Sequence, residues 1–108
     1  MLASTYRLRK KEVERIYKKG HFLSQNFLNL RFLENRTNHF RFAIVIPKTV
    51  AKLATSRNRL KRKTSVVLEN LLPHLSGHLD CMIIFKKAPD EIELEPVFTK
   101  LFQDSRIK

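Results

Sequence analysis

The chain has 108 residues and a mass of 12.8 kDa, which suits one domain and leaves too little for two cores of ordinary size. Its 43% hydrophobic content predicts a packed core, so we expect a single domain over residues 1–108 and not a disordered chain. Lys and Arg outnumber Asp and Glu by 22 to 10, which gives a net charge of +12. Because such a charge repels itself in a compact fold, it indicates a polyanionic partner.

The positive charge is concentrated in the first part of the chain. Residues 1–65 carry seventeen Lys and Arg and three Glu, whereas residues 66–108 carry five basic and seven acidic residues. The net charges of the two parts are +14 and −2. We therefore expect the polyanion to contact residues from the first part.

The longest apolar runs indicate where the protein resides. Residues 42–46 and 81–85 are apolar, and both runs are far shorter than the roughly 20 residues that cross a bilayer, so no membrane association is expected. The first residues lack the charged-then-apolar order of a signal peptide. Cys81 is the one cysteine, so no internal disulfide can form and a buried, inert thiol is expected. These features predict a cytoplasmic protein.

The first predicted element is a short amphipathic helix over residues 10–19. Val13, Ile16 and Tyr17 recur at helical spacing among Lys and Arg side chains, and Gly20 follows where helices commonly end. The spacing predicts a helix whose one apolar face packs against the rest of the protein.

Two strands are predicted next, within a region that has room for a third. Residues 27–33 and 40–46 alternate apolar and polar side chains, as half-buried strands do. Polar residues 34–38 separate them, and Pro47 ends the second. The short separation predicts that the two strands pair as a hairpin.

The second half of the chain predicts a long helix, a buried strand and a last helix. The long helix covers about residues 52–71, with Thr55 or Ser56 as its cap, and residues 79–85 form a nearly continuous apolar strand. The last helix is expected to start at Pro96. The apolar positions expected on the long helix are Leu53, Leu60, Thr64, Val67 and Leu71, and those on the last helix are Val97, Phe98, Leu101 and Phe102. The predicted fold class is α+β, a small sandwich of one mixed sheet and about three helices.

The densest functional signal is the run Arg57-Asn58-Arg59-Leu60-Lys61-Arg62-Lys63 within the long helix. At 100° per residue the cations surround the helix on three sides, and Leu60 alone faces the core. Such a surface can contact several phosphates, and Arg can bridge two phosphate oxygens. The alternative is a helix face that is charged only because it is solvated. Such faces usually carry both acidic and basic side chains, whereas no acidic residue occurs between Glu34 and Glu69.

The run and its surroundings resemble the protein subunit of bacterial ribonuclease P. The resemblance rests on Ala54-x-x-Arg57-Asn58-Arg59-Leu60-Lys61-Arg62, on the preceding Pro47-Lys48 and on the Lys18-Lys19-Gly20 turn. The order of elements agrees from about Tyr6 to Phe102, including the Arg7-Leu8 opening and the terminal Leu101-Phe102. An Arg-Asn-Arg triplet alone would be weak evidence, but its place on the long helix of a basic protein of this length makes the resemblance specific.

The resemblance implies a function in tRNA processing. Members of the family assist a catalytic RNA that removes the 5′ leader from precursor tRNA, and the RNA with its bound Mg²⁺ performs the hydrolysis. The protein binds the single-stranded leader in a cleft between its first helix and the sheet, and the Arg-Asn-Arg helix contacts the RNA subunit. The resemblance therefore implies two partners, ribonuclease P RNA and the leader, with no obligate protein partner and no catalytic or metal-binding residue in the protein. It also implies an unusual left-handed βαβ crossover.

The resemblance assigns residues to both contacts. Val13 and Tyr17 correspond to the leader cleft, where the family tends to place aromatic rings, although a tyrosine at this spacing fits the core equally well. Departures from the family pattern occur at Val13, at Thr49, where a second lysine is common, and at Ser65, where a basic residue often follows. The implied RNA-binding residues are Arg57, Asn58, Arg59, Lys61, Arg62, Lys48 and Lys52.

Two other constellations suggest metal chemistry. His74 and His78 are four residues apart, but Pro73 and Gly77 interrupt the helix that would bring them together. The acidic residues just before the last helix could suggest a two-metal nuclease, yet their position beside a helix N-terminus explains them. These acidic residues are Asp90, Glu91, Glu93 and Glu95. Neither pattern predicts a metal site.

The phenylalanines offer a further alternative, the stacking platform of an RNA-recognition module. That module has glycine beside its aromatic residues, whereas residues 39–44 contain none, so most of the rings are expected in the core with one or two exposed. The second functional interpretation is a basic nucleic-acid-binding or ribosomal-type protein outside any enzyme. Such a protein would bind RNA in a salt-sensitive way but would not affect precursor-tRNA cleavage.

Overall fold

The computed structural model describes residues 4–75 and 77–103. Within them, three α-helices and four strands occur in the predicted order, and the first of these strands is the third for which the region after the first helix had room. The helices are α1 (Lys10–Lys19), α2 (Ala54–Leu71) and α3 (Leu94–Phe102), and the strands are β1 (His21–Gln25), β2 (Leu28–Glu34), β3 (Arg41–Val45) and β4 (Leu79–Phe85). The α+β class with one mixed sheet and three helices is confirmed. No helix in this part of the chain is long and apolar enough to cross a membrane.

The strand order in the sheet is β1-β2-β4-β3. β2 pairs antiparallel with β1 and β4, and β3 pairs parallel with β4. The predicted hairpin of β2 with β3 is therefore wrong, because β4 lies between them. β4 is the most continuously apolar strand, and a strand with two buried faces is stable only between neighbours on both sides.

The tight hairpin is instead the one between β1 and β2. Gln25 pairs with Leu28, so Asn26 and Phe27 form a two-residue turn. Asn26 adopts a positive φ of 50°, which asparagine tolerates better than most residues. β3 reaches β4 through α2, so a βαβ crossover between parallel neighbours is present, and its left-handed sense stays a prediction from the resemblance.

The strand registers separate the sheet into two faces. Residues paired across strands point to the same side, so Phe22, Arg31, Met82 and Ala43 share one face. Helix α1 covers this side, which we call the α1 face, and its Ile16 is 1% exposed.

The opposite side is the core face, on which α2 and α3 pack. All four predicted α3 side chains are buried there, and the ring of Phe102 makes edge contacts with Phe40 and Phe42 at centroid distances of 5.9 and 5.8 Å. α3 begins two residues before Pro96, which therefore lies in the first turn. Proline is tolerated there because first-turn N–H groups have no hydrogen-bond partner within the helix.

The start of α2 differs from its prediction. Its first turn carries no side-chain cap from Thr55 or Ser56, because both residues already lie inside the helix and Leu53 occupies the capping position. Leu53 is 67% exposed, so the predicted apolar stripe begins only at Leu60, and it continues through buried Thr64 and Leu68. Val67 and Leu71 from the predicted stripe are half-buried against the core.

A buried ion pair connects the sheet to its surrounding loops. Arg41 donates from Nε and Nη2 to the two carboxylate oxygens of Asp80, both at 2.8 Å, and Asn35 donates from Nδ2 to Asp80 Oδ1 at 2.8 Å. Asn35 also donates to the carbonyl of His39 at 3.1 Å, and Glu12 on α1 lies 3.8 Å from Arg41. The hydrogen bonds that Arg41 donates to Asp80 raise the pKa of Arg41, although burial opposes the shift. The cluster joins α1, β3, β4 and the loop after β2.

Replacing Asp80 by Asn should lower the free energy of unfolding by about 3 kcal/mol, because it leaves Arg41 beside a neutral partner. This value is at the low end of what breaking a buried ion pair costs, because a fifth of the Arg41 side chain is exposed to water. Urea denaturation measures the change. Asp90→Asn is the matched control, because Asp90 is exposed, and similar losses in both variants would contradict a role for the buried pair.

Candidate nucleic-acid interface

The basic run on α2 adopts the predicted arrangement around the helix. Leu60 is buried at 9% exposure, whereas Asn58, Arg59, Lys61 and Arg62 are exposed. The first turn of α2 holds no acidic residue, and Arg57 stands there beside the positive end of the helix dipole. The helix thus carries a cation where its own dipole disfavours one.

Arg57 has a local structural role in addition to its charge. Its Nη1 donates to the carbonyls of Ala51 and Lys52 at 3.0 and 2.9 Å. These bonds hold the loop between β3 and α2 against the first turn of the helix. The same loop carries Lys48 and Lys52, both exposed, so Arg57 brings them to the cationic end of α2.

A second stripe of α2 faces the edge of the sheet. Asn58, Lys61, Arg62 and Ser65 follow the i, i+3, i+4, i+7 spacing of one helix face and line a cavity of about 530 Å³. Residues 42–44 of β3 and the N-terminal residues Arg7 and Leu8 form its other walls. Sequence reasoning missed this cavity, because its walls come from three separate parts of the chain.

The α1 face carries an exposed aromatic pair with a cation between them. The guanidinium carbon of Arg31 lies 5.1 Å from the ring centroid of Tyr17 and 5.5 Å from that of Phe22. Tyr17 is 53% exposed and Phe22 is 56% exposed. Ile16 therefore fills the core of this face while Tyr17 points outward, and Val13, one turn earlier, is half-buried. We call Tyr17, Phe22 and Arg31 the aromatic platform.

Phe22 and Arg31 were not among the predicted site residues. Residues 21–25 show no regular alternation of apolar and polar side chains, so the sequence held no signal for β1 or for an outward ring at Phe22. The other early phenylalanines are in the core, as predicted. The buried rings are Phe27, Phe32, Phe40 and Phe42.

Of the residues considered for metal binding, His78 and Asp90 take part in local hydrogen bonds. His78 Nδ1 lies 2.7 Å from the carbonyl oxygen of Asn35, and Asp90 accepts a hydrogen bond from the backbone N–H of Ile92 at 3.4 Å. Across residues 4–75 and 77–103, no three His, Cys, Asp or Glu side chains come together as metal ligands would. The side chain of Glu91 lies outside the described part of the structure. Burial raises the pKa of the Cys81 thiol, as expected for an inert cysteine.

Comparison with known proteins identifies the family. The model of the family Ribonuclease P matches residues 2–104. The chain belongs to the ribonuclease P protein family. The ribonuclease P protein component of Pseudanabaena is 35% identical over 85 residues, which span 77% of this chain and 73% of that protein. The component of Cyanothece is 29% identical and covers 95% of this chain and 92% of its own length.

Solved structures agree with this fold. The ribonuclease P protein from Thermotoga maritima superposes with a TM-score of 0.82 at 24% identity, over 94% of this chain and 97% of that one. A ribonuclease P protein from Staphylococcus aureus gives a TM-score of 0.79 at 23% identity, over 91% of this chain and 93% of its own. At these identities the comparison supports the fold alone.

Membership establishes the role of the chain. It is a protein subunit of an endoribonuclease that acts in tRNA processing together with ribonuclease P RNA. The alternative of a basic binding protein outside any enzyme is not favoured.

Arg57→Ala should lower the free energy of unfolding by about 1 to 2 kcal/mol, because two charge-assisted hydrogen bonds to the loop are lost. Arg62→Ala removes an equal charge from the exposed stripe and should change stability by less than about 0.5 kcal/mol. Thermal and urea unfolding of the two variants make the comparison. Equal stability of both variants would show that the loop does not depend on Arg57.

Proposed function

We propose that the two sides of the sheet serve two RNAs. The cationic side of α2 binds ribonuclease P RNA, and the α1 face binds the single-stranded 5′ leader of precursor tRNA. The observation that carries the proposal is the aromatic platform, which exposes two rings on the α1 face while the basic run lies on the helix that packs on the core face. Each surface offers the chemistry that its RNA requires.

The leader contact rests on stacking. An unpaired base can stack on an exposed ring with about 1 to 3 kcal/mol of favourable free energy and little preference for base identity. Arg31 lies between the two rings and adds a positive charge that suits the phosphate next to a stacked base. Val13 borders this surface one helical turn from Tyr17.

The contact with ribonuclease P RNA rests on phosphate neutralisation. The exposed cations of α2 and of its preceding loop form one positive surface, and each phosphate they neutralise releases counterions. Asn58 stands among them and can donate or accept hydrogen bonds at sugar or base edges. The proposed RNA-binding residues are Arg57, Asn58, Arg59, Lys61, Arg62, Lys48 and Lys52.

We further propose that ribonuclease P RNA binds the catalytic Mg²⁺ and that the protein supplies affinity and position. Among the described residues, the buried carboxylate of Asp80 already accepts hydrogen bonds from Arg41 and Asn35, so its oxygens are engaged. We propose in addition that the holoenzyme has no obligate second protein and that it acts in the cytoplasm.

Reconstitution tests the proposed function. Adding the chain to a bacterial ribonuclease P RNA at low Mg²⁺ should stimulate removal of the leader, and the purified chain alone should cleave nothing. Cleavage by RNA-free protein would move catalysis to the protein, and an absence of stimulation would remove the proposed role.

Replacing Lys61 and Arg62 together by Gln should weaken binding to ribonuclease P RNA and make its salt dependence shallower. The slope of log affinity against log salt should fall by about 1 to 2, because each neutralised phosphate contributes somewhat less than one unit. Filter binding over a salt series measures it. The control is Lys87→Gln together with Lys100→Gln, which removes the same charge from exposed positions in the acidic part of the chain. An equal fall of the salt slope in this control variant would contradict a localised RNA surface.

Tyr17→Ala should reduce the preference of the reconstituted holoenzyme for precursor over mature tRNA by about fivefold or more, since only the precursor carries a leader to stack. Stability should change by less than about 1 kcal/mol, because the ring is exposed. Equilibrium binding of both tRNAs provides the ratio.

Ile92→Ala is the control for this measurement, because Ile92 is an exposed apolar residue away from the platform, at 81% exposure. It should leave the ratio unchanged. Equal weakening of precursor and mature tRNA by a folded Tyr17→Ala variant would exclude a leader contact at this ring.

A further inference from the structure

The cavity between β3, the N-terminal segment and α2 has properties of a binding site. Its volume of about 530 Å³ falls within the range of roughly 300 to 1,000 Å³ typical of small-ligand sites. Three elements meet there, so its shape is fixed by the fold. It lies at the β3 edge, whereas the aromatic platform involves β1 and β2 toward the other edge of the sheet.

The backbone of β3 supplies polar groups to this cavity. Leu8 N–H donates to the carbonyl of Phe42 at 2.9 Å, so the backbone of Phe42 points outward from the sheet. Successive residues of a strand alternate in direction, so the N–H and C=O of Ile44 point the same way. The N-terminal segment turns into α1 at Lys10, and Ile44 lines the cavity.

The other walls combine apolar surface with positive charge. Leu8 and Ile44 provide apolar contact, while Arg7, Lys61 and Arg62 provide cations. An unstacked nucleotide has the complementary chemistry, since its base has flat apolar faces with donors and acceptors on the edge, and its phosphate is anionic. A peptide strand added to the β3 edge fits less well, because it has no anion to meet these cations.

We propose that this cavity receives one unstacked nucleotide of ribonuclease P RNA. The base edge meets the N–H and C=O of Ile44, and the phosphate meets Lys61 and Arg62. The inference rests on the proposed function in assigning α2 to the RNA subunit. The inference goes beyond the proposed function because it adds a contact between a base edge and the Ile44 backbone to a surface explained mainly by phosphate contacts.

Chemical probing of the RNA tests the proposal with the variant Ser65→Phe, which fills the cavity and keeps every cation. Asn70→Phe is the matched control, because Asn70 is exposed on the same helix, lies outside the basic run and does not line the cavity. Dimethyl sulfate and a carbodiimide report the base edges of unpaired nucleotides. One unpaired base of ribonuclease P RNA should be protected by the natural chain and by Asn70→Phe, and reactive with Ser65→Phe.

Binding should separate base contact from phosphate contact. Ser65→Phe should weaken affinity for the RNA about tenfold, as loss of one base contact does, with an unchanged salt slope. Protection of no single base, protection of a tRNA base instead, or a shallower salt slope would each overturn the proposal. If the natural chain does not bind the RNA at all, the proposed function fails as well; normal binding without base protection defeats this inference alone.

Ser65 is 7% exposed, so the larger ring could unfold the protein. A measurement on the natural chain avoids this problem. In an NMR titration, the four nucleoside monophosphates and ribose 5-phosphate are added to the natural chain, and the amide signal of Ile44 is followed. At least one nucleotide should shift this signal more than the sugar phosphate does, whereas equal shifts would indicate a phosphate site only and overturn the proposal.

Discussion

Strand β4 is the constraint on which the rest of the structure depends. It is buried along nearly its whole length and has a paired neighbour on each side, so the sheet must be covered on both faces. α1 covers one face, and α2 with α3 covers the other. This two-sided cover separates the aromatic platform from the basic run, because each is built on the outer part of a helix or strand on its own side.

Few buried side chains hold the two highly charged helices, α1 and α2, against the sheet. The first part of the chain carries a net charge of +14. Its helices α1 and α2 pack on the sheet through few buried apolar side chains, namely Ile16, Leu60 and Leu68. Arg41 pairs with Asp80, and Arg57 donates hydrogen bonds to backbone carbonyls. Lys61 and Arg62 are exposed on α2, and RNA binding would reduce the repulsion among the cations of this helix.

The helices could be predicted from the sequence because their apolar period is local, and Leu60 and the four α3 side chains were assigned correctly for that reason. Strand pairing could not, because the insertion of β4 between β2 and β3 depends on contacts across more than forty residues, such as Asn35 with Asp80. One of the three platform residues was predicted. Tyr17 follows from the family motif, whereas Phe22 and Arg31 require the β1 and β2 register.

The most direct test of the account is cleavage of RNA by radicals generated from a probe tethered to the protein. Cys81 is buried and unreactive, so an iron chelate can be attached selectively at Ser24→Cys on the α1 face or at Ser56→Cys on α2. In the holoenzyme bound to precursor tRNA, the account predicts cuts in the leader from position 24 and cuts in ribonuclease P RNA from position 56. The reverse pattern, or the same cuts from both positions, would contradict the assignment of the two faces to two RNAs.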